Sequence, residues 1–270
     1  MRKKKISATE VIRRIAIVLC VLVFLGCAVY LAMYAYESYQ NSKASELTFE
    51  QYVSVQSGGI NANHGDIQVS TSSGEAETVQ YLSVDFDALK AVNEDVFGWI
   101  QVSGLDKISY PLVWCADNAY YLEHSWDKQS SRYGALFLDE NNANDLSDAY
   151  SLIYGHNMKD GSMFGGLKKY RNADFYAEHG GLITVYLPGQ IYTYQIFSVR
   201  QVSADAQSAY TVGFAHDATF NTYVQYMADH SMYDTGVSVS SEDKVLTLST
   251  CSGDDRLVVH AKLISVDMVE

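Results

Sequence analysis

The chain has 270 residues, among them two prolines, 18 glycines and 21 tyrosines. This composition excludes collagen-like and proline-rich chains and favours a packed domain that is rich in strands. Of the 19 basic residues six precede Ile15, whereas only one of the 32 acidic residues does. The 13 basic and 31 acidic residues from Ile15 onward leave a net charge of −18, which excludes the basic surface that nucleic-acid binding requires.

The N-terminal segment predicts a membrane anchor. Ile15–Tyr36 carries no charge and is apolar almost throughout, and a helix of this length rises roughly 30 Å, about the thickness of a bilayer core. The run is longer than the apolar core of a cleavable signal peptide, and tyrosines cluster at its outer end. Because basic flanks stay in the cytoplasm, we expect residues 1–14 to be cytoplasmic, residues 15–36 to form an uncleaved single-pass signal anchor in the cell membrane, and the rest to be extracellular.

A linker follows the predicted anchor. Residues 54–80 are dominated by Ser, Gly, Asn, Gln and Thr, which is typical of a flexible spacer. We expect residues 37–80 to form an extracellular stalk, with some further helix between Glu37 and Val53. Residues 81–270 then form the folded domain.

The domain pattern is mostly β. Helical spacing of apolar residues over Val84–Val96 predicts one helix, with Asp85 as its N-cap. A second helix is predicted over Ala218–His230, inside a long insertion that follows Val202. Its aromatic and Met stripe is expected to pack on the rest of the domain. Between and after them the pattern predicts eight strands with short connections, typical of a barrel or sandwich: Gly98–Gln101, Ile108–Val113, Ala135–Leu138, Ser151–Tyr154, Leu182–Leu187, Ile191–Val202, Val245–Thr250 and Leu257–Val266.

Cys251 is the most informative candidate for chemistry. It ends the predicted strand Val245–Thr250, turn-forming residues follow at 252–255, and the return strand begins with Arg256. A thiolate is a nucleophile, and a nearby cation favours its formation. A small buried structural cysteine is the alternative interpretation.

The other cysteines do not indicate a disulfide scaffold. Cys20 and Cys27 lie in the predicted anchor, which leaves Cys115 and Cys251 in the external part. A domain with two cysteines is not held together by disulfides in the manner of small secreted scaffolds. The two could pair, but a free catalytic thiol suits Cys251 better.

Among the seven histidines, His156 is favoured as a partner of the thiol. It follows the predicted strand Ser151–Tyr154, and strand ends commonly present functional side chains at a rim. His260 lies in the last strand, where we expect it to face solvent or to make a structural hydrogen bond. The acidic run Asp139–Asp145 lacks the Gly and Glu of an EF-hand loop, so we predict no metal site there.

Several of these segments resemble the sortases, the cysteine transpeptidases of Gram-positive cell surfaces, and class B in particular. The pentapeptide Thr247–Cys251 reads Thr-Leu-Ser-Thr-Cys and is similar to the active-site signature of that family. Residues 231–251 and the helical insertion before them resemble class B. Further similar segments are Gly155–Asn157 around the histidine, Tyr110–Val113, Asp117–Leu122 and Gly161–Phe164.

The resemblance implies a fold, an activity and partners. It implies a closed sortase-type β-barrel with N-terminal helices and a helical insertion before the cysteine strand, preceded by a transmembrane helix. Cys251, His156 and Arg256 become the catalytic residues, although the interval from Cys251 to Arg256 is shorter than usual in the family. Ser249 and Thr250 become candidates for substrate binding. No cofactor and no metal are implied.

The implied reaction is cleavage of a C-terminal sorting signal (NPxTx-like or related) after its Thr, followed by acyl transfer to an amine. The expected partners are surface proteins that carry such a signal and an acceptor amine of a peptidoglycan precursor, so that surface proteins become anchored to the cell wall. No nucleic-acid partner is expected. A pilin-polymerising enzyme with a lysine acceptor, a membrane-tethered cysteine peptidase and a non-catalytic binding module are the alternatives.

Overall fold

A computed structural model describes residues 8–57, 80–203, 211–251 and 255–269 of the chain. Contacts divide the chain into two units, Met1–Glu46 and Leu47–Glu270. The first unit consists of helix α1, which begins at Ala8 and continues to Tyr52 in the second unit. Its segment from Thr9 is long and apolar enough to cross a membrane, and none of its most apolar 18-residue window is buried.

The second unit contains the β structure. Its strands are β1 (Val53–Ser57), β2 (Gln80–Val84), β3 (Val96–Val102), β4 (Ser109–Val113), β5 (Leu136–Leu138), β6 (Tyr150–His156), β7 (Leu182–Leu187), β8 (Gln190–Ser203), β9 (Val245–Cys251) and β10 (Asp255–Met268). The helices are α2 (Phe86–Val92), α3 (Ala173–His179) and α4 (Ala218–Asp229), with short 3-10 helices η1 (Tyr120–Leu122) and η2 (Gly165–Arg171).

Eight of these strands close into a barrel in the order β10-β8-β7-β3-β4-β5-β6-β9, in which β9 also pairs with β10. Most neighbours are antiparallel, but β4 and β5 are parallel, and so are β6 and β9. The closed barrel confirms the expected fold class. The eight barrel strands are the eight that the sequence predicts: β7 has the predicted bounds, and the others differ by one or two residues at one or both ends.

The interior of the barrel follows from the alternation of side chains along the strands. Leu246 and Leu248 of β9 are fully buried in the main core, together with Val259 and Ala261 of β10. Gly155 of β6 has no room for a side chain, because a Cβ there would collide with Leu136 and Phe164. Close packing at this glycine sets the path of β6 just before His156.

The N-terminal part of the second unit contains regular structure. Helix α1 extends to Tyr52, in keeping with the further helix expected between Glu37 and Val53, and β1, which lies in the predicted stalk, pairs with β2 at the start of the predicted domain. The Asp85 carboxylate caps α2 as predicted, since it accepts the N–H of Ala88. The second unit begins at Leu47, so it includes β1 as well as the predicted domain. The low-complexity residues 58–79 lie outside the described residues.

Helix α4 covers one outer face of the barrel. Its buried residues Phe220, Val224 and Met227 pack with a second cluster on the strands that includes Tyr150 and Phe197. The predicted packing of this aromatic and Met stripe is thus confirmed.

The expectation that His260 could face solvent is wrong. This residue lies on the outer face of β10, but it is fully buried, and its Nδ1 is 2.7 Å from the Thr247 hydroxyl. Among the described residues its Nε2 has no hydrogen-bond partner, and burial together with the nearby Arg200 cation lowers the pKa of the imidazole to about 3. The alternative expectation, a structural hydrogen bond, is the correct one.

Burial of His260 predicts sensitivity to acid. An exposed imidazole in the unfolded chain has a pKa of about 6.5, so between pH 6.5 and 3 the unfolded state binds a proton that the folded state excludes. Stability is therefore lost as the pH falls below about 6.5 and is unaffected by this group above it. Between pH 8 and pH 5 the loss should be about 2 kcal/mol. Urea unfolding should show this loss in the wild type and much less of it in His260→Gln.

The exposed His230 provides the control, because His230→Gln should keep the pH dependence of the wild type. An unchanged loss of stability in His260→Gln would contradict the assignment of this effect to the buried imidazole.

Candidate active site

The backbone brings the predicted nucleophile and the predicted base together. Strands β6 and β9 run parallel, and their last residues, His156 and Cys251, are Cα partners in the register. Parallel neighbours end at the same edge of a sheet, so both residues reach one end of the barrel. The two positions are 95 residues apart in the sequence.

Arg256 reaches the same end from the other side. It lies in β10, the antiparallel neighbour of β9, where Val258 pairs with Ser249. The N–H of Leu257 donates to the Thr250 hydroxyl at 2.9 Å, which joins the two strands near this end. Arg256 lies two residues before Val258, at the end of the barrel that Cys251 also reaches, and the Arg256 side chain is half-buried. The turn residues 252–254 lie outside the described residues.

The two weaker candidates for substrate binding, Ser249 and Thr250, directly precede Cys251 in β9. Ser249 is fully buried and Thr250 is 2 % exposed. Because Thr250 accepts the N–H of Leu257, its hydroxyl joins the strand of Cys251 to the strand of Arg256.

A backbone carbonyl orients His156. The His156 Nε2 lies 2.8 Å from the carbonyl oxygen of Leu122, and since a carbonyl only accepts, Nε2 carries the hydrogen of this bond. The imidazole is half-buried at this position. Gly134 packs against the same loop, where a Cβ would lie 2.5 Å from Tyr121 O and 2.9 Å from Leu122 O. Its φ of +61° also favours glycine.

The loop that supplies this carbonyl is held by a buried polar network. The Tyr121 hydroxyl donates to Asp95 at 2.7 Å and accepts from the Asn93 amide at 2.8 Å. Asp95 also forms an ion pair with Lys128 at 2.9 Å. Burial of Tyr121, followed by its bond to the carboxylate, raises the pKa of its phenol well above the ordinary value. The phenol therefore stays neutral and keeps the loop in place.

Sequence reasoning did not identify this network as part of the site. The segment Asp117–Leu122 resembled class B sortases, but Asn93 and Asp95 lie in the turn after α2, where polar residues are ordinary. No local pattern connects that turn with Tyr121.

The segment after His156 is tightly folded. Phe164 N–H donates to His156 O at 3.0 Å, and Asn157 and Met163 form an isolated bridge. Gly165 packs directly on the backbone of Met158, which leaves no space for a side chain. The end of β6 is therefore anchored on both sides of the imidazole.

Cys115 is a free, half-buried thiol. Its Sγ donates to Asp117 O at 3.3 Å, and burial raises its pKa above the ordinary value for a thiol. A raised pKa disfavours the reactive thiolate. Because Cys115 is free, it does not form the alternative disulfide in this structure.

The acidic run Asp139–Asp145 has a structural role. Asp139 is 4 % exposed and accepts from the Asn118 amide, the Asn141 amide and the Tyr154 hydroxyl. Within the described ranges, no group of three or more His, Cys, Asp or Glu side chains is placed to hold a metal ion.

Comparisons with known proteins agree with this geometry. A family model described as the Sortase domain matches residues 100–264. Sortase B of Listeria monocytogenes is 36% identical over 188 residues, which cover 66% of this chain and 73% of that protein. Sortase B of Staphylococcus aureus is 27% identical over 210 residues, covering 76% and 85%.

The solved structures to which the chain is similar are also sortase B structures. Sortase B from Bacillus anthracis in complex with AAEK2 superposes with a TM-score of 0.69 at 29% identity, covering 84% of this chain and 97% of that one. Clostridium perfringens sortase B superposes with a TM-score of 0.62 at 34% identity, covering 66% and 99%.

The chain therefore belongs to the sortase family, whose members are cysteine transpeptidases associated with the membrane at the cell surface. Within that family it is a class B sortase. Its general function is the attachment of surface proteins that carry a sorting signal, through transfer to an amine acceptor.

Proposed function

We propose that Cys251, His156 and Arg256 carry out the transpeptidation, with Cys251 as the nucleophile. The observation that carries this proposal is the register of the parallel strands β6 and β9, which pairs His156 with Cys251 at one end of the barrel. The Cys251 thiolate attacks the carbonyl carbon of the Thr in the sorting signal. The C–N bond that follows this Thr breaks, a thioester forms, and the leaving amine takes a proton.

His156 supplies and then removes that proton. As an imidazolium it protonates the leaving amine, and as a neutral base it deprotonates the incoming amine, which attacks the thioester and regenerates the thiolate. Because Nε2 donates to the Leu122 carbonyl, proton exchange with the substrate is assigned to Nδ1. The carbonyl keeps the ring in one orientation through both half-reactions.

Arg256 stabilises the oxygen of the reacting carbonyl. A guanidinium donates two N–H groups in a fixed plane, which suits the negative charge that develops on that oxygen. Its place near the start of β10, beside the strand that ends at Cys251, supports this role. Ser249 and Thr250 support substrate binding indirectly by holding β9 against β10. Ser249 pairs with Val258, and the Thr250 hydroxyl accepts the N–H of Leu257.

Loss of Arg256 should therefore slow the reaction strongly. Arg256→Ala is expected to lower kcat/KM by roughly 10²–10³-fold, as for loss of one oxyanion donor. Arg256→Lys should recover little, because a lysine lacks the planar fork. Steady-state kinetics with a sorting-signal peptide measures both variants, and Lys90→Gln on α2 is the control for charge. Near-normal turnover of Arg256→Ala would assign the oxyanion role to another residue.

We infer that the acceptor is an amine of a peptidoglycan precursor and that the signal is NPxTx-like or related. Structures of sortase B complexed with triglycine, and of the S. aureus sortase B-substrate complex, are among the relatives, and they support a peptide substrate and a glycine amine. A lysine acceptor, as in a pilin-polymerising enzyme, is the second candidate. Competition between triglycine and an Nα-acetyl-lysine acceptor distinguishes them, and preferential use of the lysine would overturn the precursor assignment.

We also propose that residues 15–36 form a single-pass, uncleaved anchor, with residues 1–14 in the cytoplasm and the catalytic domain outside. The apolar character of α1 and the basic residues before Ile15 support this topology. Protease treatment of intact cells should release the domain by cleavage in the predicted stalk. A mature N-terminus beyond Tyr36 in untreated membranes would contradict it.

A further inference from the structure

A pocket of about 440 Å³ lies between the β3–β4 connection and the segment that follows His156. Its charged lining consists of Lys107, Lys159, Lys168, Lys169, Asp106 and Asp160. The unit Leu47–Glu270 contains 12 basic and 29 acidic residues, a net charge of −17. A third of all its cations thus line one concave surface of an otherwise acidic domain.

The two aspartates of the lining balance only two of its four lysines. The Asp160 carboxylate is held by the Ser162 hydroxyl, by the Ser162 N–H and by the Tyr133 hydroxyl. Lys107 donates to the backbone carbonyl of Asp160 at 2.8 Å, so it meets a neutral group. Lys169 lies over the ring of Phe175 at 5.4 Å.

The other two lysines are the most available. Within residues 8–57, 80–203, 211–251 and 255–269, neither Lys159 nor Lys168 forms an ion pair, whereas Lys128 and Lys262 each pair with an aspartate. Four lysines against two aspartates leave this lining with a net positive charge, which attracts an anion.

The shape of the pocket leaves room for such a ligand. Gly104, Gly161 and Gly166 form part of the wall, so three positions contribute no side chain. A Cβ at Gly161 would have only the Lys107 Cδ near it, at 4.0 Å, which shows that this wall is open.

The lysines also indicate the chemistry of the ligand. An ammonium group binds phosphate oxygens as a compact point charge, and several ammonium groups close together favour a ligand that carries more than one negative charge. The pocket lining has four lysines and no arginine. We propose that it is a binding site for a ligand with a multiply charged phosphate group, such as a diphosphate.

The test is a titration of the full chain with inorganic diphosphate, in nanodiscs of phosphatidylcholine so that no anionic lipid competes. Isothermal titration calorimetry should show saturable binding at one site, tighter than that of sulfate at the same ionic strength. Lys159→Gln combined with Lys168→Gln should weaken binding at least about tenfold, because two charge-assisted contacts are lost.

Lys90→Gln combined with Lys244→Gln is the matched control. It makes the same change in net charge outside the pocket and should alter the affinity less than twofold. If the two double variants weakened binding equally, the anion would be attracted only by the overall charge of the domain. This result would overturn the proposed site. Absence of saturable binding to the wild type would also overturn it.

A second arm identifies the source of the phosphate. Tighter binding of geranyl diphosphate than of inorganic diphosphate indicates a lipid-linked ligand, and equal affinity indicates a free anion. Because the readout is binding, it is independent of the transpeptidation assay, which tests the roles of Cys251, His156 and Arg256.

Discussion

Replacing Cys251 by alanine is expected to abolish transpeptidation. Without the thiol no thioester can form, so turnover of a sorting-signal peptide with triglycine should fall by on the order of 10⁴-fold or more. The leucines of β9 remain in the barrel core, so the variant should still fold and bind the peptide. Mass spectrometry of the enzyme after mixing should detect a thioacyl adduct in the wild type and none in the variant.

Cys115→Ala is the matched control, because it removes the other described thiol of the second unit. It should leave both the adduct and the product unchanged. A transpeptidation product from Cys251→Ala, or loss of the adduct in Cys115→Ala, would contradict the assignment of Cys251.

Replacing His156 by alanine is expected to reduce turnover by roughly 10²–10⁴-fold, the usual contribution of a general acid and base. Both half-reactions should slow, because the leaving amine needs a proton and the incoming amine must lose one. Rapid-quench kinetics separates the two, since the adduct forms in the first step and disappears in the second.

The exposed His230 at the end of α4 is the control, and His230→Ala should retain normal rates. If His156→Ala formed the adduct and passed it to the amine at the rate of the wild type, another group would have to act as the acid and base.

The sequence predicted the secondary-structure elements better than the way in which the strands pair. All eight barrel strands, the cap at Asp85 and helix α4 follow from local patterns of apolar and polar residues. The adjacency of His156 and Cys251 does not, because strand pairing over 95 residues leaves no local signal. Their grouping came from the resemblance to the sortases.

The incorrect expectation for His260 has the same cause, because contacts between distant elements leave no local signal in the sequence. His260 shares a face of β10 with Arg256 and Lys262 and so looked exposed, but it is buried on a covered outer face of the barrel, where its ring bonds Thr247. Which face another element covers cannot be read from one strand. Likewise the polar sequence of β1 is typical of a linker, yet pairing with β2 gives it regular structure.

Closure of the barrel has a consequence for biogenesis. Strand β9 pairs with β6 on one side and with β10 on the other. The barrel therefore stays open between β6 and β10 until β9 inserts between them. Pairings so distant in sequence form late because they require large loops to close. The same insertion brings Cys251 beside His156. With Cys251 as the proposed nucleophile, a nascent chain that lacks its last two strands is expected to be inactive, and the enzyme is expected to acquire its activity in the step that completes its fold.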